Sequence, residues 1–363
     1  MNDREFEQYL TEGVENVVKD LLKASFFHPA ESAFMLRFAA ACKRADELRH
    51  KFEEEGEHIP PFLIASITSV CNLHCAGCYA RSLDACSDGS PVQQLSAEQW
   101  GKVFSEAVDL GISFILLAGG EPMARMDVIE KAAEYPSILF PIFTNGTLID
   151  DDRLIFMDKH RNLIPVFSVE GGQLSTDARR GDGIFDKVQS VMMKMQKKRL
   201  VFGASVTVTT ENMSEVTSDR FIKNLTDSGC KLIFYIEYVP TEHSSKALAL
   251  NDELREQLAA RVDELRIGND SALFISFPGD EKLSDGCLAA GRGFFHINSH
   301  GGAEPCPFSP YSDINVIDTS LREALKSKLF IALRSGNILL DEHDGGCVLF
   351  KKREEVEKLL SKC

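Results

Sequence analysis

The hydrophobic positions of the chain follow two different patterns, which meet near residue 59. In the first part, apolar residues recur every three or four positions, at Phe6, Leu10, Val14, Val17 and Leu21. A second run with helical spacing begins at Pro29, a residue type favoured at the first position of a helix, and ends near Gly56. No stretch here alternates between apolar and polar residues as a strand does. We therefore predict that residues 1–58 form a helical extension.

After residue 59, short apolar runs alternate with segments of helical spacing. The predicted strands are Phe62–Ile67, Phe114–Leu117, Leu139–Phe143, Pro165–Val169, Ala204–Val208 and Leu232–Val239. One helix is predicted after Ser96, because Ser96 and Gln99 have the spacing of a capping box. The other intervening helices are predicted at Asp127–Tyr135, Asp150–His160, Phe185–Lys197 and Asp219–Ser228.

The repeated order of strand and helix predicts the fold class. Six such units imply an α/β fold with a parallel sheet and right-handed crossovers, curved into a full or partial (βα)6 barrel. In folds of this class, the functional side chains lie in loops after the carboxyl ends of the strands. The barrel is predicted to cover residues 59–278 and to close with a helix at Asp252–Ile267 and a strand at Leu273–Phe277.

The composition shifts after residue 278 towards glycine, cysteine and proline. A hairpin is predicted there, with strands Phe294–Asn298 and Ala303–Cys306 joined by a turn at residues 299–302. We expect residues 279–363 to form a small module appended to the barrel.

Composition and charge narrow the classes of function. With 44% hydrophobic and 26% charged residues among 363, the chain is typical of globular proteins, and no apolar run approaches the roughly 18 residues of a membrane span. The first residues are acidic and lack the basic and apolar segments of a secretory signal, so we expect a cytoplasmic protein. The formal net charge of -15 disfavours nucleic acid as a partner.

The ten cysteines of a cytosolic chain are better interpreted as metal ligands or redox groups than as disulfides. Cys71, Cys75 and Cys78 lie within eight residues, directly after the first predicted strand. Three thiolates at this spacing can hold one metal centre, and cysteine thiolates are the usual ligands of iron–sulfur clusters. A zinc site would need a fourth ligand, and His74 is poorly placed for it because it would point away from the adjacent Cys75.

This C-x3-C-x2-C motif, followed by Tyr79, resembles the radical S-adenosylmethionine (radical SAM) superfamily over about residues 61–240. The resemblance implies a 4Fe-4S cluster on the three cysteines, with one iron left to bind SAM. Gly119, Gly120, Glu121 and Pro122 after the second strand are similar to the GGEP element of that family, which accepts hydrogen bonds from the SAM ammonium. A glycine-rich turn with proline at the start of a helix is also an ordinary structural feature.

Later strand ends carry further similarities to the family. Asn145 belongs to a Thr-Asn-Gly sequence after the third strand, and Ser168 and Glu170 match an S-x-[DE]-G motif after the fourth. These residues are implied to contact SAM, with Glu170 at its ribose or at the substrate. Arg180 is implied to pair with the SAM carboxylate, and Val239 to line the adenine site. Ordinary turn or surface roles are the alternatives for Asn145 and Arg180.

Cys287, Cys306 and Cys347 resemble the SPASM and Twitch extensions of radical SAM proteins. This likeness implies a second, auxiliary 4Fe-4S cluster, with zinc as the alternative. Its fourth ligand is either Cys363 or absent from the protein, and the open site is favoured because terminal residues commonly fray. Cys42, Cys86 and Cys230 are interpreted as core cysteines.

The resemblance as a whole implies an oxidoreductase or maturase that cleaves SAM reductively to a 5′-deoxyadenosyl radical in the absence of oxygen. An electron donor such as flavodoxin or ferredoxin is implied, and the substrate is an unidentified small molecule or peptide. Because residues 1–58 lack strands, a leader-binding winged-helix domain is not expected. The alternative is a non-catalytic iron–sulfur scaffold or carrier, which would not need the SAM-binding motifs.

Overall fold

The computed structural model describes residues 29–89, 92–241, 243–269, 271–284, 286–336, 338–340 and 347–363, with residues 10, 12, 13, 15 and 19. The helical pattern predicted from Phe6, Val14, Val17 and Leu21 falls outside the described residues. The second predicted helix is present at Pro29–Glu54, and Gly56 follows it with a φ of +80°. None of the described helices has both the length and the apolar character needed to cross a membrane.

One sheet organises the described chain. Its strands are β1 Phe62–Thr68, β2 Phe114–Gly119, β3 Phe140–Thr144, β4 Leu163–Ser168, β5 Gly203–Val208, β6 Leu232–Glu237, β7 Leu273–Phe277, β8 Phe294–Ile297 and β9 Ala303–Glu304. They lie in the order β7-β6-β5-β4-β3-β2-β1-β8-β9, and all neighbours are parallel except β8 and β9. The sheet is open, so the predicted partial α/β barrel is confirmed.

Helices connect the strands on the outside of the sheet. They are Tyr79–Ser82, Ala97–Leu110, Met126–Ala133, Asp151–Lys159, Gln173–Arg180, Ile184–Lys198, Met213–Val216, Asp219–Asp227, Asp252–Gly268, Leu321–Ala324, Lys328–Ser335, Val348–Lys351 and Arg353–Leu360. Single 3-10 turns occur at Pro122–Ala124, His243–Leu248 and Gly279–Ser284. The capping box at Ser96 and Gln99 is formed by both of its hydrogen bonds, at 2.8 and 3.2 Å. The six predicted barrel strands differ from the observed ones by at most two residues at either end.

The helix Pro29–Glu54 closes the amino-terminal end of the barrel. Its Phe34 and Phe38 pack in a buried cluster with residues at the starts of β2, β3, β4 and β6, which are Phe114, Leu139, Ile164 and Leu232. The rings of Phe38 and Phe114 meet edge to face, with centroids 5.5 Å apart. This apolar plug leaves the loops at the carboxyl ends of the strands as the accessible end of the barrel.

The predicted hairpin forms, but it is part of the main sheet. β8 pairs in parallel with β1, with Ile64 opposite His296, and β9 pairs antiparallel to β8. Phe277 at the end of β7 also contacts Phe294 of β8, with ring centroids 5.8 Å apart. The segment after residue 278 was expected to be only appended, yet it extends the sheet beyond β1 and shares its buried core.

Candidate functional site

The loop after β1 carries the first three cysteines. Cys71, Cys75 and Cys78 are partly buried free thiols. The loop curls around Arg81, whose guanidinium donates to the carbonyl oxygens of Leu73 at 2.9 Å and Cys71 at 3.2 Å. The partly buried Arg81 thus ties together the backbone of the short segment that carries the three sulfur atoms, and it does so through carbonyl oxygens.

A fourth cysteine, Cys86, lies beside this loop. The backbone N–H of Cys71 donates to the carbonyl oxygen of Ser87 at 3.1 Å, which brings the two segments together. A hydrogen bond from the Cys86 thiol lowers the pKa of Cys71 to about 6, and the same contact raises the pKa of Cys86. Cys86 is buried, which agrees with its interpretation as a core cysteine. Its hydrogen bond also favours the thiolate form of Cys71, and the thiolate is the form that binds metals.

Gly119 and Gly120 bring the end of β2 against the cysteine loop. The N–H of Gly120 donates to the carbonyl of Thr68 at 2.8 Å, and the N–H of Glu121 donates to Val70 at 2.9 Å. A Cβ atom on Gly120 would lie far inside van der Waals distance of the Val70 carbonyl oxygen, and one on Gly119 would meet Thr68 in the same way. The close approach that requires glycine here is therefore to the backbone of residues 68–70.

This packing predicts the effect of Gly120→Ala. The added methyl group meets backbone atoms that cannot rotate away, so we expect a loss of about 1–3 kcal/mol in unfolding free energy and lower iron uptake by the displaced cysteine loop. Denaturant unfolding and iron analysis after reconstitution measure the two effects. Gly268→Ala is the matched control, because a Cβ at Gly268 meets nothing within 4 Å. Equal behaviour of the two variants would contradict the packing argument.

Glu121 joins the ends of β2 and β3. Its buried carboxylate accepts hydrogen bonds from the Thr144 hydroxyl at 2.6 Å, the Asn145 N–H at 2.7 Å and the Met123 N–H at 3.0 Å. Burial raises the pKa of Glu121 to about 7, although these three donors act in the opposite direction. Pro122 follows at the first position of the 3-10 turn. The GGEP segment is thus rigidly connected to the Thr-Asn-Gly turn.

Asn145 connects the same turn to the cysteine loop. Its Nδ2 donates to Oδ1 of Asn72 at 2.9 Å, and Nδ2 of Asn72 donates to the Thr147 hydroxyl at 2.9 Å. Asn72 follows Cys71 directly. The structure therefore brings three of the predicted motifs, from β1, β2 and β3, into one hydrogen-bonded group at the accessible end of the barrel.

Glu170, just after β4, is the centre of a buried charge cluster. Its carboxylate accepts from Arg179 Nη1 at 2.5 Å, from Arg180 through Nε at 2.9 Å and Nη2, and from the Thr207 N–H at 3.0 Å. Ser168, which ends β4, is only partly buried. Nη1 of Arg180 lies 3.8 Å from Sγ of Cys75, so this cluster touches the cysteine loop.

Arg179 was not predicted as a site residue. Besides pairing with Glu170, it donates through Nε to the carbonyl of Ala76 in the cysteine loop at 3.1 Å and through Nη1 to the Thr207 hydroxyl at 2.7 Å. It therefore connects β4, β5 and the cysteine loop. The available signal was its position directly before Arg180, which belongs to a segment that resembles the family.

Tyr238, after β6, lies against the cysteine loop from the other side. A Cβ on Gly77 would be 2.5 Å from the Tyr238 hydroxyl, so this ring also requires glycine between Cys75 and Cys78. The side chain is 96% buried, and its hydroxyl has no hydrogen-bond partner in the described part of the chain. A buried hydroxyl of this kind fits a polar group bound beside the cysteine loop.

The second set of cysteines surrounds a small cavity near the end of β6. Cys287, Cys306 and Cys347 line it together with Glu237, Val239, Phe277, Pro278, Glu281 and Phe308. Burial raises the pKa of the Cys287 and Cys306 thiols well above the usual value. Three thiols facing one cavity fit an iron–sulfur cluster held by cysteine. Within the described ranges, no three side chains of His, Cys, Asp or Glu are placed to hold a single metal ion.

Two aromatic rings connect the two cysteine sites. Tyr79, the residue after Cys78, packs on Phe308 with ring centroids 4.6 Å apart, and Phe308 lines the second cavity. Val239 lies two residues beyond the end of β6 and also lines that cavity. The two sites are therefore neighbours at the same end of the barrel, although about 200 residues separate them in sequence.

Comparison with known proteins matches part of the chain to one family. Residues 65–222 match the model of the radical SAM superfamily, and this range includes the first cysteine motif and every predicted SAM contact except Val239. This match covers less than half of the chain, and over residues 65–222 the protein is similar to the radical SAM superfamily. Curated relatives are named as a synthase, a maturation protein and a cyclase, in agreement with the prediction of an enzyme of the oxidoreductase or maturase type.

Two curated relatives and one solved structure show how far the likeness extends. The AdoMet-dependent heme synthase of Methanosarcina barkeri is 25% identical over 72% of this chain and 81% of the relative. The sporulation killing factor maturation protein SkfB of Bacillus subtilis is 26% identical, over 47% of this chain and 42% of its own length. SuiB of Streptococcus suis bound to S-adenosylmethionine has the same fold, with a TM-score of 0.68 and 16% identity over 86% of this chain and 80% of that chain.

The protein also contains a row of three hydrogen-bonded polar side chains that the sequence motifs did not indicate. Nε2 of His296 lies 2.7 Å from the Ser66 hydroxyl, and Nδ1 lies 2.7 Å from Oε2 of Glu304. The carboxylate only accepts hydrogen bonds, so in the neutral ring Nδ1 carries the hydrogen and Nε2 accepts from Ser66. Side chains alternate along a strand, and Ser66 therefore faces away from the outer core that contains Ala65 and Ile67, towards the barrel interior.

Proposed function

We propose that this protein reductively cleaves S-adenosylmethionine and uses the resulting radical to remove a hydrogen atom from a substrate held in the barrel. The observation that carries the proposal is the hydrogen-bonded convergence of the motifs after β1, β2, β3 and β4 on one loop with three cysteines. A non-catalytic iron–sulfur scaffold needs the cysteines alone, and it has no use for this surrounding arrangement.

The residues have distinct roles in this proposal. Cys71, Cys75 and Cys78 hold a 4Fe-4S cluster, which supplies the electron for cleavage of SAM when it is bound. The polar strand ends orient the methionine part of SAM, through Glu121 and the backbone of Gly119 and Gly120. These strand ends belong to one rigid group, so the orientation is set before SAM binds.

The remaining SAM contacts are proposed on the opposite side of the pocket. Asn145 and Ser168 present polar atoms from the ends of β3 and β4, and Glu170 keeps Arg180 in place against the cysteine loop. Tyr79 and Val239 provide apolar surface for the adenine. The orphan hydroxyl of Tyr238 is a further donor toward a group bound beside the loop.

The substitutions Ser168→Ala and Glu121→Gln test the SAM pocket. Each removes or weakens a hydrogen-bonding group for a charged ligand, worth roughly 1.5–3 kcal/mol, so we expect SAM affinity to fall about tenfold to hundredfold. Equilibrium binding to the reconstituted protein measures the change. Ser113→Ala, a buried serine beside the amino-terminal end of β2, is the control and should bind SAM as the unmodified protein does. Affinities within twofold of the unmodified protein for both test variants would place the pocket elsewhere.

The reaction itself is tested by its product. Protein reconstituted with iron and sulfide without oxygen, then given dithionite and SAM, should form 5′-deoxyadenosine and methionine. Failure of a fully loaded protein to form either would favour the scaffold. The proposal includes an electron donor such as flavodoxin or ferredoxin and a cytoplasmic location.

An auxiliary 4Fe-4S cluster at Cys287, Cys306 and Cys347 is part of the proposal. Its support is the shared cavity and the contact of Tyr79 with Phe308, which brings it next to the SAM-binding loop. A cluster there accepts an electron from the substrate or binds the substrate directly. By their names, one relative given above is a heme synthase and the other matures a sporulation killing factor, so a heme precursor and a peptide are the substrates to assay first.

A further inference from the structure

The three cysteines of the auxiliary site leave one position of a four-iron cluster without a sulfur ligand. Cys363, the one other candidate considered from the sequence, is not among the residues that line the cavity. Its Sγ donates to the carbonyl oxygen of Leu359 at 3.3 Å, and its own carbonyl accepts from Lys328 at 2.9 Å. The helix Arg353–Leu360 is docked through the fully buried Val356, so Cys363 is ordered at this other place.

A carboxylate does face the cysteines. Oε1 of Glu281 lies 3.8 Å from Sγ of Cys287, and the same oxygen accepts from the N–H of Leu288 at 3.4 Å. Glu281 is 97% buried, and it lines the cavity together with all three cysteines. Its backbone is fixed in the 3-10 turn after β7 by a 2.8 Å hydrogen bond to the carbonyl of Pro278.

A second carboxylate that lines the cavity points towards an outer helix. Glu237 accepts from Nε of Arg255 at 2.9 Å, and Arg255 belongs to the helix Asp252–Gly268 outside the cavity. This arginine holds the Glu237 carboxylate towards the outer helix. Glu281, in contrast, directs an oxygen at a cysteine sulfur.

We propose that Glu281 is the fourth protein ligand of the auxiliary cluster. The donor set is then three thiolates and one carboxylate oxygen, and iron accepts both kinds of ligand. The inference rests on the auxiliary cluster of the proposed function and replaces both alternatives for its fourth position, Cys363 and an open iron. An oxygen ligand is also more easily displaced than a thiolate, so this iron is the one at which a substrate atom can enter.

The test uses the full chain with Cys71, Cys75 and Cys78 changed to alanine, so that iron bound after anaerobic reconstitution reports the auxiliary site. This parent should bind about four irons and show no three-iron signal in electron paramagnetic resonance after mild oxidation. Glutamate labelled with ¹³C should produce a carbon coupling to the reduced cluster in pulsed resonance spectra. In Glu281→Ala and Glu281→Gln that coupling should vanish, and the three-iron signal should appear as the fourth iron is lost.

Three further variants make the result specific. Glu281→Cys should restore about four irons without the carbon coupling, which a merely structural role for Glu281 does not predict. Glu237→Gln and Cys363→Ser should both keep the spectra of the parent. Circular dichroism confirms that each variant is folded.

The contrary outcomes are equally distinct. The assignment of Glu281 as a ligand is overturned if the parent shows no carbon coupling. It is also overturned if the three-iron signal appears in Cys363→Ser instead of Glu281→Ala. A parent that binds no iron refutes the auxiliary cluster and this inference with it. The SAM reaction is unaffected by that result, because formation of 5′-deoxyadenosine is measured on the unmodified chain.

Discussion

Replacement of Cys71, Cys75 and Cys78 together by alanine will abolish reductive cleavage of SAM and remove about four irons from the reconstituted protein. The three sulfur atoms lie on one loop that Arg81, Asn145 and Arg179 connect to its surroundings through hydrogen bonds to groups other than the thiols. The barrel should therefore stay folded, with an unchanged far-ultraviolet spectrum. Iron analysis and assay of 5′-deoxyadenosine measure the two losses.

Cys230→Ala is the matched control for this experiment. Cys230 is fully buried in the outer core of the sheet, so its replacement tests the general effect of removing a thiol. It should keep both the iron and the activity. Reductive cleavage that persists in the triple variant would show that the cluster for SAM lies elsewhere.

Glu170→Ala will cause the largest loss of stability among single substitutions at the site. The carboxylate is 98% buried between Arg179 and Arg180, and its removal leaves two largely buried guanidinium groups without their shared partner. Breaking a buried ion pair from one side costs about 3–5 kcal/mol. The unfolding free energy from denaturant titration should fall by about this amount, and SAM cleavage should fall because Arg180 no longer holds its place beside Cys75.

The control for Glu170 is an exposed ion pair of the same type. Asp227→Ala breaks the contact of Lys223 with Asp227, where both side chains are more than 60% exposed, and should cost less than about 1 kcal/mol. Glu170→Gln keeps the size of the side chain, and its loss of unfolding free energy should lie between those of Glu170→Ala and Asp227→Ala. A loss of less than about 1 kcal/mol in Glu170→Ala would mean that water or another group neutralises the arginines.

Local patterns were sufficient for the six barrel strands and for the grouping of the first three cysteines on one loop. Hydrophobic residues recur every two positions in a strand and every 3.6 in a helix, because one side of the element is buried. The ends of the six barrel strands could therefore be predicted to within two residues of the observed ends. The three cysteines lie within one loop, and their spacing alone indicates a shared metal centre. Parallel strands end on one side of the sheet. The accessible end of the barrel could therefore be predicted from the glycine, asparagine and serine residues that follow successive strands.

The residues that hold this site in place could not be predicted in the same way. Glu170, which is predicted to contact a ligand, also pairs with two arginines, and Cys86, interpreted as a core cysteine, hydrogen-bonds to Cys71. Each of these contacts depends on how one loop folds over another. A carboxylate or thiol has no sequence pattern that tells which of several neighbouring segments it will meet.

The sequence by itself determined the order of strands and helices, the cysteine loop and the likeness to radical SAM proteins. Only the tertiary structure decided that β8 joins β1, that Ser66 meets His296 and Glu304, and that Glu281 faces the auxiliary cysteines. Ser66 and His296 are 230 residues apart. Periodicity records only whether a side chain is buried, whereas the partner of a buried polar group is selected by the packing of the whole sheet, because each such group must find a hydrogen bond.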